Sequence, residues 1–426
     1  MPYSYKCKDY CVFLQWIMTF SDFIRQHGDD DPVRLLLSRD KYPDIDLDLA
    51  VTTLEVRKKL RTKVPEWYSV PSLVYPSRLS GEQCSSSETA RYKALLAFDL
   101  RLEGIPSRRR VADLTGGMGV DAWAFAQVAK EVLYNEVQPE LAKATELNFK
   151  ELGVGNVVFR NEEVVPGKVK EVLGGFEPDV IYLDPARRAE DGRKVFLIEE
   201  CRPDVLALLP ELFEAGRYVL LKLSPMADIT MACRRLGEHV KAVHVVASGG
   251  ECKELLFLLD REWTGPCSVF AVEGGVSMEI PVHGNDGGRA KFGMPMAGEL
   301  LFEPGKALSK AGAFDWPCTR FGLAKLGRHT HLYVGEAVPE ELRPLGKTFG
   351  ILEVLPLSNR SLKDAGKRYP QAEVTARNIP MTSDLLRKKL GCASGGDIHL
   401  FGVRVDTASG GDNHLIVAKR IAYGTD

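Results

Sequence analysis

The chain contains two acidic strand ends whose residue types and spacing could do chemistry. In the first, an apolar stretch ends at Asp113, and a Gly-Gly-x-Gly turn then opens a helix. Glycines at such a turn let the backbone pass close to a ligand, and an open parallel sheet binds nucleotide-like molecules at this end of its strands. The candidate ligand contacts are Asp113, Thr115, Gly116, Gly117 and Gly119.

Two ligand classes fit this turn. Gly117-x-Gly119-x-x-Ala122 matches the dinucleotide fingerprint. An acid at the strand end favours S-adenosylmethionine (SAM) instead, because the carboxylate would lie near the methionine ammonium. A purely structural strand-to-helix turn is the third interpretation.

Glu136 supports a ribose-containing ligand. It ends the next predicted strand, 23 residues after Asp113, and an acid at an offset of about 20 residues can accept hydrogen bonds from ribose hydroxyls. The third strand is followed by Asn161, Glu162 and Glu163, where an acid can accept from the adenine amino group. We take Glu162 as the candidate, although a solvated charge cluster fits equally well.

The second acidic strand end is Asp184-Pro185-Ala186-Arg187-Arg188. An Asp-Pro-Pro-aromatic turn at this place is associated with methylation of exocyclic amino groups, since its oxygens accept from the amine and its ring stacks on the base. Ala186 and Arg187 replace the second proline and the aromatic residue, so methyl transfer is a stronger inference than amino-group chemistry. We predict Asp184, Pro185 and Arg187 as catalytic residues. Arg187 could stack on a base or hold a phosphate, and a surface salt bridge is an equal alternative.

Further polar residues are weaker candidates for substrate contacts. Lys222 ends the fifth predicted strand and could line the substrate mouth. The weaker candidates are Gln83, Ser85, Ser86, Arg188 and Lys222. Methylation at pyrimidine C5 needs a thiolate beside the methyl group, and no cysteine follows the fourth or fifth strand. No histidine pair has a metal-ligand spacing, so we predict no metal.

Short apolar runs alternating with helical stretches must position these residues, a pattern typical of a parallel sheet with crossover helices. The predicted strands are 110–114, 131–136, 156–160, 179–184, 217–223, 241–247 and 254–259. Only residues 248–252 separate the last two, too few for a crossover, so the seventh strand must be reversed. We therefore predict an α/β fold with a doubly wound, Rossmann-like seven-stranded sheet of the class I methyltransferase kind.

Other regions flank this core, which we place at 106–275. Residues 1–105 have helical spacing and predict an N-terminal helical domain, including a helix that begins at Ser85 or Ser86 and runs to Leu102. Residues 276–345 are rich in Gly and Pro, with strand candidates at 300–302 and 331–334. Residues 346–426 predict a compact α+β domain with strands 349–356, 373–378, 398–405 and 414–421 and a helix near 383–390.

Cysteine usage and hydropathy favour a cytoplasmic protein. Nine scattered cysteines include no CxxC pair, which is typical of a reduced chain. The apolar run 11–20 has the length of a signal h-region, but Asp9 and Gln15 interrupt the pattern and no cleavage site follows. No run approaches the roughly 20 apolar residues of a membrane-spanning helix. Whether residues 1–17 belong to the fold is left open.

Charge is segregated along a nearly neutral chain. The net charge is −2, but residues 106–275 carry −6 and residues 343–426 carry +5. Lys363, Lys367 and Arg368 in the basic C-terminal part are candidate contacts to nucleic-acid phosphates. A solvated basic face is the alternative.

Several motifs together resemble one protein family. They are Asp-Leu-Thr-Gly-Gly-x-Gly (113–119), Glu136, Asp-Pro-Ala-Arg-Arg (184–188), Lys-Leu-Ser-Pro-Met (222–226), Glu-Gln-Cys-Ser-Ser (82–86) and Thr-Ala-x-Tyr-Lys (89–93). With them the chain resembles the bacterial THUMP-like-domain class I SAM-dependent methyltransferases over nearly its whole length. Residues 276–345 resemble that family's small ferredoxin-like module, and 346–422 its THUMP-like domain. The resemblance to this methyltransferase family implies SAM as cofactor. Because relatives with THUMP domains modify structured RNA, it also implies a tRNA or rRNA as partner.

Three functions are compatible with these features. We favour an enzyme that methylates a base in structured RNA. A non-enzymatic RNA-binding or assembly protein on a relic SAM fold is the first alternative, and a DNA or small-molecule methyltransferase is the second. The sequence does not indicate the methylated atom or the oligomeric state.

Overall fold

A computed structural model describes residues 20–98, 109–186, 198–281, 290–407 and 410–423. The chain divides into two compact units. The first holds the described residues up to 223 together with 230–240 and 257–264, and the second holds 224–229, 241–256 and the described residues from 265 onward. Within the described ranges, no helix is long and apolar enough to cross a membrane. The signal-like run 11–19 and the predicted helix end at 99–102 lie outside the described residues.

Helices make up the described chain before the first strand. They are α1 (20–26), α2 (Pro32–Leu37), α3 (Leu47–Lys63), α4 (Pro65–Tyr68), α5 (Arg78–Gln83) and α6 (Ser87–Ala97), with a 3₁₀ turn at Arg39–Lys41. Side-chain caps set four of these helix starts, those of α2, α3, α5 and α6. Asp46 accepts from the backbone N–H of Leu49, and Ser86 forms a capping box with Thr89.

A nine-stranded sheet forms the centre of the predicted methyltransferase core. Its strands are β1 (Arg110–Asp113), β2 (Glu131–Asn135), β3 (Val157–Arg160), β4 (Val180–Leu183), β5 (Tyr218–Leu223), β6 (Val240–Ser248), β7 (Glu251–Asp260), β8 (Ser268–Glu273) and β9 (Val276–Ile280). The order across the sheet is β3-β2-β1-β4-β5-β7-β6-β8-β9. The first five strands pair in parallel, so their carboxyl ends share one edge.

Helices fill the connections between the first six strands. They are α7 (Val120–Ala126), α8 (Pro139–Glu151), α9 (Val169–Leu173), α10 (Val205–Ala215) and α11 (Ile229–Leu236), with a 3₁₀ turn at Ile198–Glu200. The last connection is different, because only Gly249 and Gly250 separate β6 from β7. Their φ angles are +61° and +79°, as a two-residue hairpin turn requires. The reversed seventh strand and the doubly wound fold class are thereby confirmed.

The sequence did not predict β8 and β9. β8 pairs in parallel with β6, and β9 pairs antiparallel with β8, so the sheet continues to Ile280, past the predicted boundary at residue 275. β9 lies at the edge of the sheet and only its last residue, Ile280, is buried, which weakens the apolar signal that marks a central strand.

A second sheet of seven strands lies in the second unit. Its strands are β10 (Leu300–Pro304), β11 (Ala324–Lys325), β12 (Tyr333–Gly335), β13 (Gly346–Pro356), β14 (Glu373–Arg377), β15 (Ile398–Thr407) and β16 (Gly410–Ile421), in the order β11-β12-β10-β13-β16-β15-β14. The accompanying helices are α12 (Lys306–Lys310), α13 (Trp316–Phe321), α14 (Asn359–Arg368) and α15 (Ser383–Leu390), with a 3₁₀ turn at Arg343–Leu345.

This second sheet has a separate apolar core on each face. Phe401 and Ile416 belong to one core, while their neighbours Leu400 and Leu415 belong to the other, together with Leu386 of α15. That alternation is the two-residue period of a strand. β10 and β12 pair into the same sheet as β13–β16, so the segments 276–345 and 346–426 both contribute strands to this sheet. The predicted division into four domains stays a prediction.

Candidate functional site

A cavity of about 580 Å³ lies at the carboxyl ends of β1, β2, β4 and β5, with residues of α5 and its C-terminal turn completing the wall. Most of the candidates named from the sequence line it. These are Gln83, Ser85, Thr115, Gly116, Gly117, Gly119, Glu136, Glu162, Asp184, Pro185 and Lys222. Arg187 and Arg188 lie outside the described residues.

Two glycines of the turn after β1, Gly116 and Gly119, have no room for a side chain. A Cβ on Gly116 would lie 2.1 Å from the ring of Tyr134, and a Cβ on Gly119 would lie 2.6 Å from Thr145. Gly117 and Gly119 have φ angles of +54° and +86°, which favour glycine. The Tyr134 hydroxyl of β2 donates to the Gly117 carbonyl at 2.6 Å. This hydrogen bond fixes the turn to the neighbouring strand, and the turn lines the cavity.

Glu136 is fixed at the cavity wall. Its Oε2 accepts from the Gly117 N–H and its Oε1 from the Gln138 N–H, both at 2.9 Å. Each carboxylate oxygen keeps a second lone pair that could accept a hydroxyl. Glu162 is exposed on the same wall, and its backbone exchanges two hydrogen bonds of 3.0 Å with the Asn135 side chain.

Asp113 lies behind the cavity wall, whereas the sequence analysis predicts it beside the ammonium group of a ligand. It is fully buried, because β1 is flanked by β2 and β4 at the centre of the sheet. Its Oδ1 accepts from the Thr115 N–H at 3.1 Å, whereas Oδ2 has no hydrogen-bond partner. Burial, followed by the nearby Asp121 carboxylate, raises the pKa of Asp113 well above its usual range. A protonated Asp113 would hold the turn rather than pair with a cation.

Asp121 supplies a carboxylate on the cavity wall that the sequence reasoning missed. Its Oδ2 accepts from the hydroxyls of Ser85 at 2.9 Å and Tyr182 at 2.8 Å, and the fully buried Lys93 ammonium lies 3.1 Å from Oδ1. Burial alone would raise the pKa of Asp121, but Lys93 first, then Lys222, hold it below the ordinary value. The signal available was one acid in the otherwise apolar helix α7.

Both candidate serines have structural partners. Ser85 accepts from Lys93 Nζ at 2.8 Å and donates to Asp121, so its hydroxyl is occupied although it borders the cavity. Ser86 does not line the cavity, because it caps α6. Gln83 is exposed at the rim, so it alone of these three presents an uncommitted polar group to a ligand.

Asp184 and Lys222 form an ion pair on the cavity wall. Lys222 Nζ lies 2.5 Å from Asp184 Oδ2, and the two side chains are 14% and 36% exposed. The Asp184 N–H donates to Thr115 Oγ1 at 2.6 Å. These contacts connect the carboxyl ends of β1, β4 and β5 at one point.

Cys84 also lines the cavity, although no cysteine follows β4 or β5 in the sequence. It is brought there by the turn at the end of α5. Its thiol donates to the Gly81 carbonyl at 3.4 Å, and burial raises its pKa. The environment therefore favours the thiol over the thiolate.

The basic candidates of the second unit lie on α14. Arg368 pairs with Glu353 at 2.7 Å. Lys363 and Lys367 are exposed, four residues apart on one face of the helix, and neither has a hydrogen-bond or ion-pair partner in the described chain.

Two family models match the second unit. A THUMP domain-like model matches residues 346–420, and a ferredoxin-like domain model matches residues 300–342. A protein named "Uncharacterized RNA methyltransferase" from Enterococcus faecalis is 33% identical over 129 residues, covering 27% of this chain and 28% of that protein. Another from Clostridium acetobutylicum is 27% identical over 115 residues, covering 26% and 24%. The chain thus aligns with about a quarter of the length of these RNA methyltransferases.

A solved structure matches over nearly the whole chain. The crystal structure of a "putative methyltransferase" from Porphyromonas gingivalis W83 has a TM-score of 0.81 and 32% identity, covering 96% of this chain and 99% of that one. With this similarity and the THUMP domain-like match at 346–420, the chain belongs to the THUMP-like-domain class I methyltransferase family.

Proposed function

We propose that this protein is a SAM-dependent methyltransferase that acts on a base in structured RNA. The observation that carries the proposal is the meeting of a glycine turn, Glu136 and the Asp184–Lys222 pair on one cavity. The cavity's volume of about 580 Å³ lies within the range of small-molecule sites.

The cavity residues fit SAM. A Cβ on Gly117 would have no neighbouring atom within 4 Å, so the glycine turn leaves open space for the ligand. Glu136 can accept hydrogen bonds from the ribose, and Glu162 can accept one from the adenine amino group. Asp121, rather than the Asp113 predicted from the sequence, is the carboxylate available to the methionine ammonium. When bound, SAM supplies an activated methyl group.

The protein's own contribution is positioning. Asp184 and Pro185 end β4, and the Thr115 bond to the Asp184 backbone fixes this turn. Methyl transfer between two aligned groups in a site that excludes water needs no strong base. Asp184 would orient the accepting atom and receive its proton, while Pro185 shapes the floor beneath the base.

The RNA substrate is supported by the names of the similar proteins and by charge. Two of those proteins are named RNA methyltransferases, and the THUMP domain-like segment carries the exposed Lys363 and Lys367. We propose a tRNA or rRNA as the partner, with no metal and no membrane required. The seven described cysteines are all free thiols, which supports a cytoplasmic location.

Titration of the purified protein with SAM, followed by transfer of labelled methyl groups to RNA from a strain lacking the gene, tests the proposal. Wild-type protein should bind SAM and label RNA. Asp184→Ala should bind SAM but lose transfer, whereas Glu177→Gln, an exposed acid near the start of β4, should keep both.

Two results would contradict the proposal. They are failure of wild-type protein to bind SAM, and undiminished transfer by Asp184→Ala. Binding of SAM with no label on RNA would favour the non-enzymatic RNA-binding alternative, and label on DNA or a small molecule the other one.

A further inference from the structure

We propose that the methyl acceptor is a ring N–H flanked by a carbonyl group, as at N1 of guanine or N3 of uracil. This inference rests on the proposed function and names the chemical class of its substrate. The observation behind it is the Asp184–Lys222 pair, which places an acceptor and a cationic donor side by side on the cavity wall.

The pair presents complementary groups to one edge of a base. The Lys222 ammonium donates to Asp184 Oδ2. No described residue donates to the other oxygen, Oδ1, so Oδ1 is available to accept a hydrogen bond from a ligand N–H. The Lys222 ammonium beside it can donate to a carbonyl oxygen next to that nitrogen. A ring N–H with a neighbouring carbonyl matches this order of acceptor and donor.

The sign of the developing charge separates ring nitrogens from exocyclic amines. An exocyclic amine attacks as a neutral group and gains positive charge, which an adjacent ammonium opposes. A ring N–H must lose its proton, and the negative charge then moves onto the flanking carbonyl oxygen. A fixed cation stabilises that charge in a partly dehydrated site. Lys222 therefore favours the ring nitrogen.

Two other observations disfavour competing acceptors. The turn after β4 has Ala186 in place of the second proline associated with exocyclic amines. Attack at pyrimidine C5 requires a thiolate, whereas the half-buried Cys84 thiol donates a hydrogen bond to the Gly81 carbonyl.

The step balances without another reactant. The N–H proton passes to Asp184, the nitrogen electron pair forms the new N–CH₃ bond, and the S–CH₃ bond breaks with its electrons going to sulfur. Neutral S-adenosylhomocysteine leaves, and Asp184 returns its proton to water. Lys222 keeps its charge throughout.

Identification of the methylated nucleoside tests the inference. RNA from a gene-deletion strain is incubated with the full chain and labelled SAM, digested to nucleosides and analysed by mass spectrometry. We expect 1-methylguanosine or 3-methyluridine. Methylation of an exocyclic amine, a ribose or pyrimidine C5 would overturn this inference while leaving the proposed function intact. Absence of any transfer to RNA would overturn both.

Variants of Lys222 give a second, independent test. Lys222→Gln should lower the transfer rate by about 10²-fold or more, the usual cost of removing a donor to a developing oxyanion. Lys222→Arg should recover much of that loss, and Lys143→Gln, which removes an exposed lysine of α8 away from the cavity, should transfer at the wild-type rate. SAM affinity and RNA affinity, measured by titration and filter binding, should change less than about threefold in Lys222→Gln. Full transfer by Lys222→Gln, or an equal loss of transfer in Lys143→Gln, would overturn the inference.

Discussion

At the scale of residues, the least expected feature is the buried charge cluster beneath the cavity. Lys93 is fully buried, and its ammonium is met by Ser85 and Asp121. An isolated ammonium in such a place would carry a large desolvation cost. The pair persists because the Lys93 ammonium lies beside Oδ1 of Asp121 while two hydroxyl groups donate to Oδ2, so Asp121 stays charged and fixed at the wall.

Removing one partner of this pair should be costly. We expect Lys93→Met to lower the free energy of unfolding by about 3–5 kcal/mol, because it leaves the Asp121 charge buried without its counter-ion. Asp121→Asn keeps the acceptor for Ser85 and Tyr182, so the double variant Lys93→Met/Asp121→Asn should recover a substantial part of the loss. Urea unfolding of the two single variants and of the double variant measures the three losses. If the two losses simply added, the ion pair would not be the cause.

At the scale of elements, backbones approach closely where α14 crosses α15. A Cβ on Gly366 of α14 would lie 1.7 Å from the Leu390 carbonyl oxygen at the end of α15. This contact brings both helices onto the sheet face that carries Leu400 and Leu415. A side chain at Gly366 would therefore separate the helices.

Gly366→Ala tests this packing, since two effects predict opposite signs. Helix propensity alone would stabilise α14 by about 1 kcal/mol. The steric conflict is with backbone, which cannot move aside, so we expect a net loss of roughly 2 kcal/mol. Hydrogen exchange in residues 383–390 should become faster.

The matched control is Gly350→Ala. A Cβ on Gly350 has its nearest neighbour, Ile421 Cδ1, at 3.8 Å, so exchange in residues 383–390 should be unchanged. Unchanged exchange in Gly366→Ala would mean that the close approach does not limit the packing of the two helices.

At the scale of the whole molecule, the near-neutral charge conceals an acidic core and a basic C-terminal part. Residues 106–275 have a net charge of −6 and residues 343–426 a net charge of +5. Several basic side chains of the C-terminal part are committed to acids. Arg368 pairs with Glu353 and Arg377 with Glu303, which leaves Lys363 and Lys367 as the better phosphate contacts.

The salt dependence of RNA binding tests this assignment. Lys363→Gln/Lys367→Gln should weaken binding and reduce the slope of log K against log salt by about 1.4–1.8, which corresponds to two fewer phosphate contacts. Arg368→Gln should have a smaller effect, because its guanidinium already has a partner. Lys130→Gln/Lys143→Gln, which removes equal charge from the acidic part, is the control. An equal change in that control would indicate net charge rather than a binding face.

The architecture of the sheet and the strand ends that line the cavity could be predicted from the sequence. Strand spacing, the two-residue link between β6 and β7, and the turn residues 115–119 were readable because they depend on local periodicity and backbone geometry. The edge strand β9 was missed because its partial exposure weakens that period, and β8 was missed because it follows the seventh strand, where the predicted sheet ends.

Which polar groups face the cavity depends on tertiary contacts that the sequence pattern does not show. Asp113 and Asp121 are both acids near the same turn, but depth in the sheet buries the first, while Lys93, distant in sequence, keeps the second charged. Cys84 reaches the cavity through α5, and Ser86 is taken by a helix cap. Burial and charge pairing arise between segments far apart in the chain, so no local pattern encodes them.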